Sequence, residues 1–227
     1  MVHSQQQNIR QKKLAVLLRS ARLARNRAEQ ECAEALNVPV ATYLAYERGT
    51  QPISLPEVEI MAYLFDIPVD YFWGNTALSS QKGASTPEAS TFANALGLRR
   101  RIIGARLRQA RENSEMSIDT LSGMTGIAVA DIQTYEALKA DIPLPELELL
   151  VDALGMSMQQ FVDQNGLVGR WMKEQQAIRQ FLDLPPDLQE FVSKPVNQPF
   201  LELAQRLSEV NVDRLRNVAE GLLEITL

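Results

Sequence analysis

The sequence predicts an all-α protein: two tandem five-helix units followed by a C-terminal helical region. Three observations carry this expectation. Sliding the chain 89 positions along itself superimposes two stretches without a gap. Ala45-Tyr46-Glu47 falls on Thr134-Tyr135-Glu136, Ile53-Ser54-Leu55-Pro56-Glu57 on Ile142-Pro143-Leu144-Pro145-Glu146, Arg22 on Arg111 and Phe72 on Phe161. Self-similarity of this regularity over about 60 residues marks a duplicated small domain. Apolar residues in both stretches recur at spacings of three and four, the period of a helix face. Finally, 45% of the 227 residues are hydrophobic but only 6% are aromatic. An apolar content made mostly of Leu, Ile, Val, Ala and Met suits helices more than sheets.

In the first unit, residues 1–8 read as a disordered polar tail. From Ile9 a helix places Leu14, Leu17, Leu18 and Ala21 on one face. A second helix is expected over 28–36 with Cys32, Ala33 and Leu36 inward. Asn37-Val38-Pro39 breaks it, because asparagine tolerates the left-handed conformation and proline cannot continue the hydrogen-bond ladder. The third helix, carrying Tyr43, Leu44 and Tyr46, stops at Gly49. A loop through Pro52 leads to a fourth helix over 55–65 with proline in its first turn, and a short fifth contains Tyr71 and Phe72.

The second unit repeats the plan with helices over 101–112, 118–124, 129–138, 145–154 and 158–162. Ser117 is the expected cap of its second helix, and Gly126 and Gly155 its breaks. The resulting division is 9–75 for the first unit, 76–97 for a Ser/Thr/Gly/Ala-rich linker, 98–166 for the second unit and 167–227 for a helical packing or oligomerisation region. That last region is expected to hold helices over 171–182 and near 187–192, then a hairpin of 200–207 and 212–225. The face Leu215, Val218, Ala219, Leu222, Leu223 needs a partner surface.

Composition excludes several classes of function. One cysteine, Cys32, rules out an intrachain disulfide and a cysteine metal cluster, and one histidine, His3, leaves neither a histidine zinc site nor a catalytic triad. There is no Gly-rich phosphate loop, so an enzyme is not expected, and no cofactor or metal is called for. No apolar run approaches the length of a membrane span, and the start is no signal peptide, so a soluble cytoplasmic protein is expected. The net charge of -5 does not favour a polyanionic partner. The basic residues nevertheless crowd the starts of both units: Arg10, Lys12, Lys13, Arg19, Arg22, Arg25 and Arg27 in one, Arg99, Arg100, Arg101, Arg106, Arg108 and Arg111 in the other.

The stretch from Ala28 through Asn37-Val38-Pro39 to Tyr46-Glu47-Arg48-Gly49 is a short helix, a tight turn and a second short helix. With the small Ala33 facing the turn and the Tyr-Glu-Arg-Gly ending, it resembles the lambda-repressor/Cro type of helix-turn-helix, the XRE-like regulators. The second unit resembles it more weakly, from Ser117 through Ile127 to Tyr135-Glu136. The resemblance implies two lambda-repressor-like domains and a sequence-specific transcriptional regulator of double-stranded DNA.

It also implies roles. The third helix enters the major groove, and helix N-termini and basic side chains hold phosphates. The base-facing candidates are Val40, Ala41, Thr42 and Leu44 in the first unit and Val129, Ala130 and Gln133 in the second. Arg25, Arg27, Arg48, Arg106, Arg108 and Lys139 are the phosphate candidates. Glu47 and Glu136 are expected to brace the units against Arg22 and Arg111 rather than to read bases. Of the reading positions only Gln133 offers a bidentate match to a base edge, with Thr42 second. Asp119 and Asp131 would meet a repulsive backbone, and Ala137-Leu138 replaces the Arg-Gly ending.

Those departures keep a rival open: a protein-interaction or scaffold module in which the helix-turn-helix is turned to a partner protein, as in bacterial cell-shape proteins of the RodZ type, here without their membrane segment. An antitoxin-like partner role is a third reading. Homodimerisation through 200–227 fits all of them.

Overall fold

The structure, a computed structural model, describes residues 2–74 and 89–208. The expected second hairpin arm over 212–225, residues 209–227 of the expected dimerisation segment and most of the expected linker lie outside the described residues. Among the described residues eleven α-helices follow one another: α1 Val2–Ala24, α2 Glu29–Leu36, α3 Val40–Arg48, α4 Leu55–Phe65, α5 Ala89–Asn113, α6 Ile118–Thr125, α7 Val129–Glu136, α8 Leu144–Ala153, α9 Leu167–Leu182, α10 Pro186–Ser193 and α11 Gln198–Ser208. Short 3₁₀ turns at Val69–Phe72, Met158–Gln160 and Pro195–Asn197 complete the described elements. The fold is all-α, as the sequence predicts.

Three helices begin well before their expected starts, α9 at Leu167 rather than 171 among them. Residues 2–8, read as a tail, belong to α1: glutamines 5–7 are adequate helix formers, and extending an existing helix avoids a new nucleation cost. Residues 89–97, read as linker, open α5. Phe92 and Leu96, one helical turn apart, are buried there, and the Phe92 ring meets Tyr63 edge-on at 5.8 Å. Two large apolar residues at this spacing outweigh the turn-like Ala-Ser-Thr that precedes them.

The backbone repeats at the same offset as the sequence. Among the described residues, positive φ angles occur in four pairs 89 positions apart: Asn26 and Glu115, Asn37 and Gly126, Gly49 and Leu138, Asp66 and Gly155. Left-handed residues end helices by turning the chain out of the helical path. Equal breakpoints therefore give both halves the same helical plan.

Residues Met1–Met172 form one compact unit around a continuous apolar core. Its largest fully buried side chains include Tyr43, Phe65, Phe72, Phe92 and Phe161. Within it the two halves meet across α1, α4, α5 and α8. Arg10 donates to Glu148 at 2.6 Å and to the Phe72 carbonyl at 2.8 Å. Arg99 donates to both carboxylate oxygens of Glu59, at 2.9 and 2.7 Å, and to the Phe161 carbonyl at 2.6 Å. Ser54 and Pro143 form an isolated antiparallel bridge, where the Leu144 N–H donates to the Ile53 carbonyl at 2.9 Å.

Residues Lys173–Leu227 form the second compact unit. In it the Gln189 side chain donates to the carbonyls of Leu182 and Leu184, tying α10 to the end of α9. Asn197 donates to the Phe191 carbonyl. Phe200, Leu203 and Leu207, on one face of α11, are exposed.

Candidate nucleic-acid interface

The turn between α2 and α3 follows from three residues. The N–H of Ala28, just before α2, donates to the Glu31 carboxylate at 3.0 Å. Asn37 takes φ 54° at the end of α2, and Pro39 stands extended immediately before α3. Cys32, Ala33, Ala35 and Leu36 bury the inner face of α2, and Tyr43 and Tyr46 that of α3. Gly49 closes α3, with its carbonyl accepting from Gln11 at 2.9 Å.

Beneath this turn lies an ion pair. Arg22 on α1 donates to both oxygens of Glu47, at 2.6 and 2.9 Å, with the pair nearly withdrawn from solvent. It also donates to the Arg27 carbonyl and to Glu29. The hydrogen bond to Glu47 raises the Arg22 pKa well above its ordinary value against the opposing effect of burial. Arg111 and Glu136 repeat the arrangement at 2.7 and 2.8 Å, with Arg111 also holding the Met116 carbonyl. The expected bracing role of both glutamates is thus what the structure shows.

A second tie fixes the far end of α3. Tyr46 donates its phenol to Glu57 at 2.9 Å, and Glu57 accepts from the Ser54 N–H and hydroxyl at 2.8 and 2.7 Å. Tyr135 and Glu146 repeat the first of these contacts at 2.8 Å. Burial raises the pKa of both tyrosines, so they remain donors.

These constraints decide which side chains of α3 and α7 face outward. Ala41 is exposed, Thr42 and Leu44 are half-buried, and Val40 is half-buried with its side chain packed on the core. In α7, Ala130, Asp131 and Gln133 are exposed and Val129 is half-buried. The structure therefore brings Ala41, Thr42 and Leu44 onto one outer face, and Ala130 and Gln133 onto the corresponding face of α7. Val40, at the first position of α3, leans inward onto the core, and Val129, at the first position of α7, is half-buried.

The basic candidates separate into two groups. Arg48 and Lys139 are exposed just at or beyond the ends of α3 and α7, and Arg27 is half-buried beside α2, 3.9 Å from Glu31. Arg25 reaches the Asp66 carbonyl at 3.1 Å, Arg106 reaches the Gln160 carbonyl at 2.6 Å, and Arg108 pairs along its helix with Glu112 at 2.8 Å. Arg25 and Arg106 thus serve the fold by holding carbonyls at the ends of α4 and of the Met158–Gln160 turn. Carboxylates share the surface: Glu31 and Glu34 on α2, Asp119 on α6 and Asp131 on α7 are all exposed. Sequence reasoning missed Arg10, Arg99, Glu59 and Glu148. Their signal is in the repeat, since Arg10 and Arg99, and likewise Glu59 and Glu148, stand 89 positions apart.

Residues 18–72 match the helix-turn-helix family model. The match covers α2, the turn and α3, where the first domain is expected; residues 98–166 lie outside it. The chain is similar to an uncharacterized HTH-type transcriptional regulator, y4wC, of Sinorhizobium fredii. The two are 27% identical over 114 residues, which span 50% of this chain and 76% of that protein. No solved structure matches the chain. Among the described residues, no helix is long and apolar enough to cross a membrane.

Proposed function

We propose that the protein is a sequence-specific DNA-binding transcriptional regulator that reads duplex DNA through α3, with residues 98–166 a second, divergent helix-turn-helix domain presenting α7. The observation that carries this reading is the helix-turn-helix over residues 18–72, in which Ala41 on the outer face of α3 and Arg48 at its end stand exposed, with Thr42 and Leu44 partly so. The name of the relative, an HTH-type transcriptional regulator, points the same way. Ala41, Thr42 and Leu44 would meet bases in the first domain and Ala130 and Gln133 in the second; Arg27, Arg48 and Lys139 would meet phosphates. The exposed face of α11 fits homodimerisation through 200–227, and the protein would act in the cytoplasm. Titration of the full chain against random duplex DNA at two salt concentrations tests the reading. Binding that weakens as salt rises is expected from phosphate neutralisation; absence of binding at low salt overturns it. Replacing Arg27 and Arg48 should weaken binding to all sequences alike.

The rival is a protein-interaction module built on the same helices. It is favoured by the exposed carboxylates Glu31, Glu34, Asp119 and Asp131, together with the exposed apolar side chains Met124 and Leu138.

A further inference from the structure

The offset that relates the two halves also relates the contacts between them. Arg10 donates to Glu148 in the other half and to the Phe72 carbonyl in its own; 89 positions on, Arg99 donates to Glu59 across and to the Phe161 carbonyl in its own half, and both acceptors differ from the first pair by the same 89. In these two pairs each half gives the other what it receives from it, although the Arg100 contact with Glu57 at 3.6 Å has no such counterpart among the described residues. Such reciprocity defines an isologous, two-fold interface between identical subunits; here it is made within one chain. Ser54 is bridged to Pro143, its own counterpart. Where equivalent residues face each other, the symmetry axis must pass between them.

Two consequences follow for α3 and α7. Rotation about a two-fold axis preserves direction along that axis, so the outer faces of the two helices lean the same way along it. Their separation is also bounded. Gly49 and Leu138, which follow α3 and α7, are each five residues from the bridge. A chain reaches at most about 3.5 Å per residue, or about 18 Å here. The bridge adds about 5 Å and half of each short helix about 7 Å. The helix centres therefore lie no more than about 55 Å apart, which admits successive major grooves, about 34 Å apart, and excludes grooves two turns apart, at about 70 Å.

We infer that the chain is a single-chain pseudo-dimer whose target is one bipartite duplex site with unlike half-sites one helical turn apart, read by α3 and α7 together. The inference rests on the DNA-binding reading above. Identical subunits select palindromes; these halves differ at the reading positions. Thr42 corresponds to Asp131 and Leu44 to Gln133. Methyl groups on α3 suit the thymine C5-methyl, whereas Gln133 matches the adenine N6/N7 edge. Association through the C-terminal unit would carry two such sites, not complete one.

Selection of bound duplexes from a random pool with the full chain, followed by native mass measurement of the complex, tests the inference. The expected result is a non-palindromic bipartite consensus with half-site centres about 10 base pairs apart and one chain per site. Inserting five base pairs between the halves turns them to opposite faces of the duplex and should reduce affinity about 100-fold. Gln133→Ala should relax preference in one half only. A palindrome holding two chains, or affinity unchanged by the insertion, overturns the inference while leaving DNA binding intact. Recovery of no preferred duplex overturns both.

Discussion

Gly104 on α5 lies directly beneath Leu138, the residue that turns the chain out of α7. A Cβ added to Gly104 would fall 2.5 Å from Leu138 Cδ2 and 2.6 Å from the Tyr135 carbonyl oxygen. The first half solves the same contact in reverse: Gly49 takes the left-handed turn, and Ala15 of α1 stands 3.3 Å from where its Cβ would be. The small residue has changed sides. Leu138 holds φ 62°, a conformation that costs a non-glycine residue about 1–2 kcal/mol.

Gly104→Ala should therefore destabilise the protein by about 1–3 kcal/mol, because the clash is partly with backbone and cannot be relieved by a rotamer change. Leu138→Gly should be neutral or stabilising by up to about 1 kcal/mol, since relief of the left-handed strain offsets the loss of a side chain that is 47% exposed. Urea midpoints at constant m-value measure both. A stable Gly104→Ala variant would show that α5 and α7 are not packed this closely.

Arg22 and Glu47 are the more consequential pair, because both are nearly withdrawn from water and Arg22 also holds the carbonyl of Arg27 ahead of α2. Glu47→Gln leaves the buried guanidinium with only the part-exposed Glu29, at 3.2 Å, as counter-charge, which should cost about 2–4 kcal/mol. Arg111→Met should cost less than Arg111→Ala, since the apolar stem still fills its place. Chemical denaturation of these variants reads the loss directly. Under conditions where the Glu47→Gln variant stays folded, its DNA sequence preference should match the parent; a changed preference would make Glu47 a reader rather than a brace.

Much of this arrangement is legible in the sequence. Asn37, Gly49 and Gly126 announced their breaks, because each is a residue that tolerates a left-handed turn where the helical period fails. The inward periodicity of Tyr43 and Tyr46 fixed the outer face of α3. The family resemblance implied the brace of Glu47 and Glu136 against Arg22 and Arg111. The contacts between halves were not legible in the same way. Repetition of Arg10 as Arg99 and of Glu59 as Glu148 shows that both side chains are kept, but within one half an arginine and a glutamate have many ways to pair. Only the folded chain shows that each reaches across. The start of α5 was obscured by Ala-Ser-Thr, whose weak helix preference is overridden by tertiary burial of Phe92 and Leu96.

Cys32 is fully buried on α2, and burial pushes its thiol up to about 11. Thiolate is the reactive species, so at pH 8 the native protein should be labelled by a thiol reagent far more slowly than the unfolded chain. The labelling rate should rise with urea in step with unfolding. Rapid labelling of the native protein would mean that α2 opens independently of the core.

Asp163 gives the acid limb of stability a specific origin. Burial works to raise its carboxyl, but N–H donors from Gly169, Gly166 and Asn165 and the charge of Arg99 outweigh it, holding the group below its ordinary value of 3.8. The contacts are at 3.0, 2.8 and 3.3 Å and fasten the start of α9, while the Asp163 N–H itself donates to Glu59 at 2.8 Å. A carboxyl depressed in the folded state contributes stability that is present above the unfolded pKa and is lost as pH falls through the folded one. Asp163→Asn removes the charge and sets an amide N–H₂ where one oxygen now accepts. It should cost about 1–3 kcal/mol near neutrality. That difference from the parent should shrink as pH falls from the unfolded value of 3.8 through the lower folded one, where the parent carboxyl takes up its own proton. Denaturation midpoints of both proteins across this range read the effect. A constant difference at every pH would show that Asp163 acts by shape alone, without its charge.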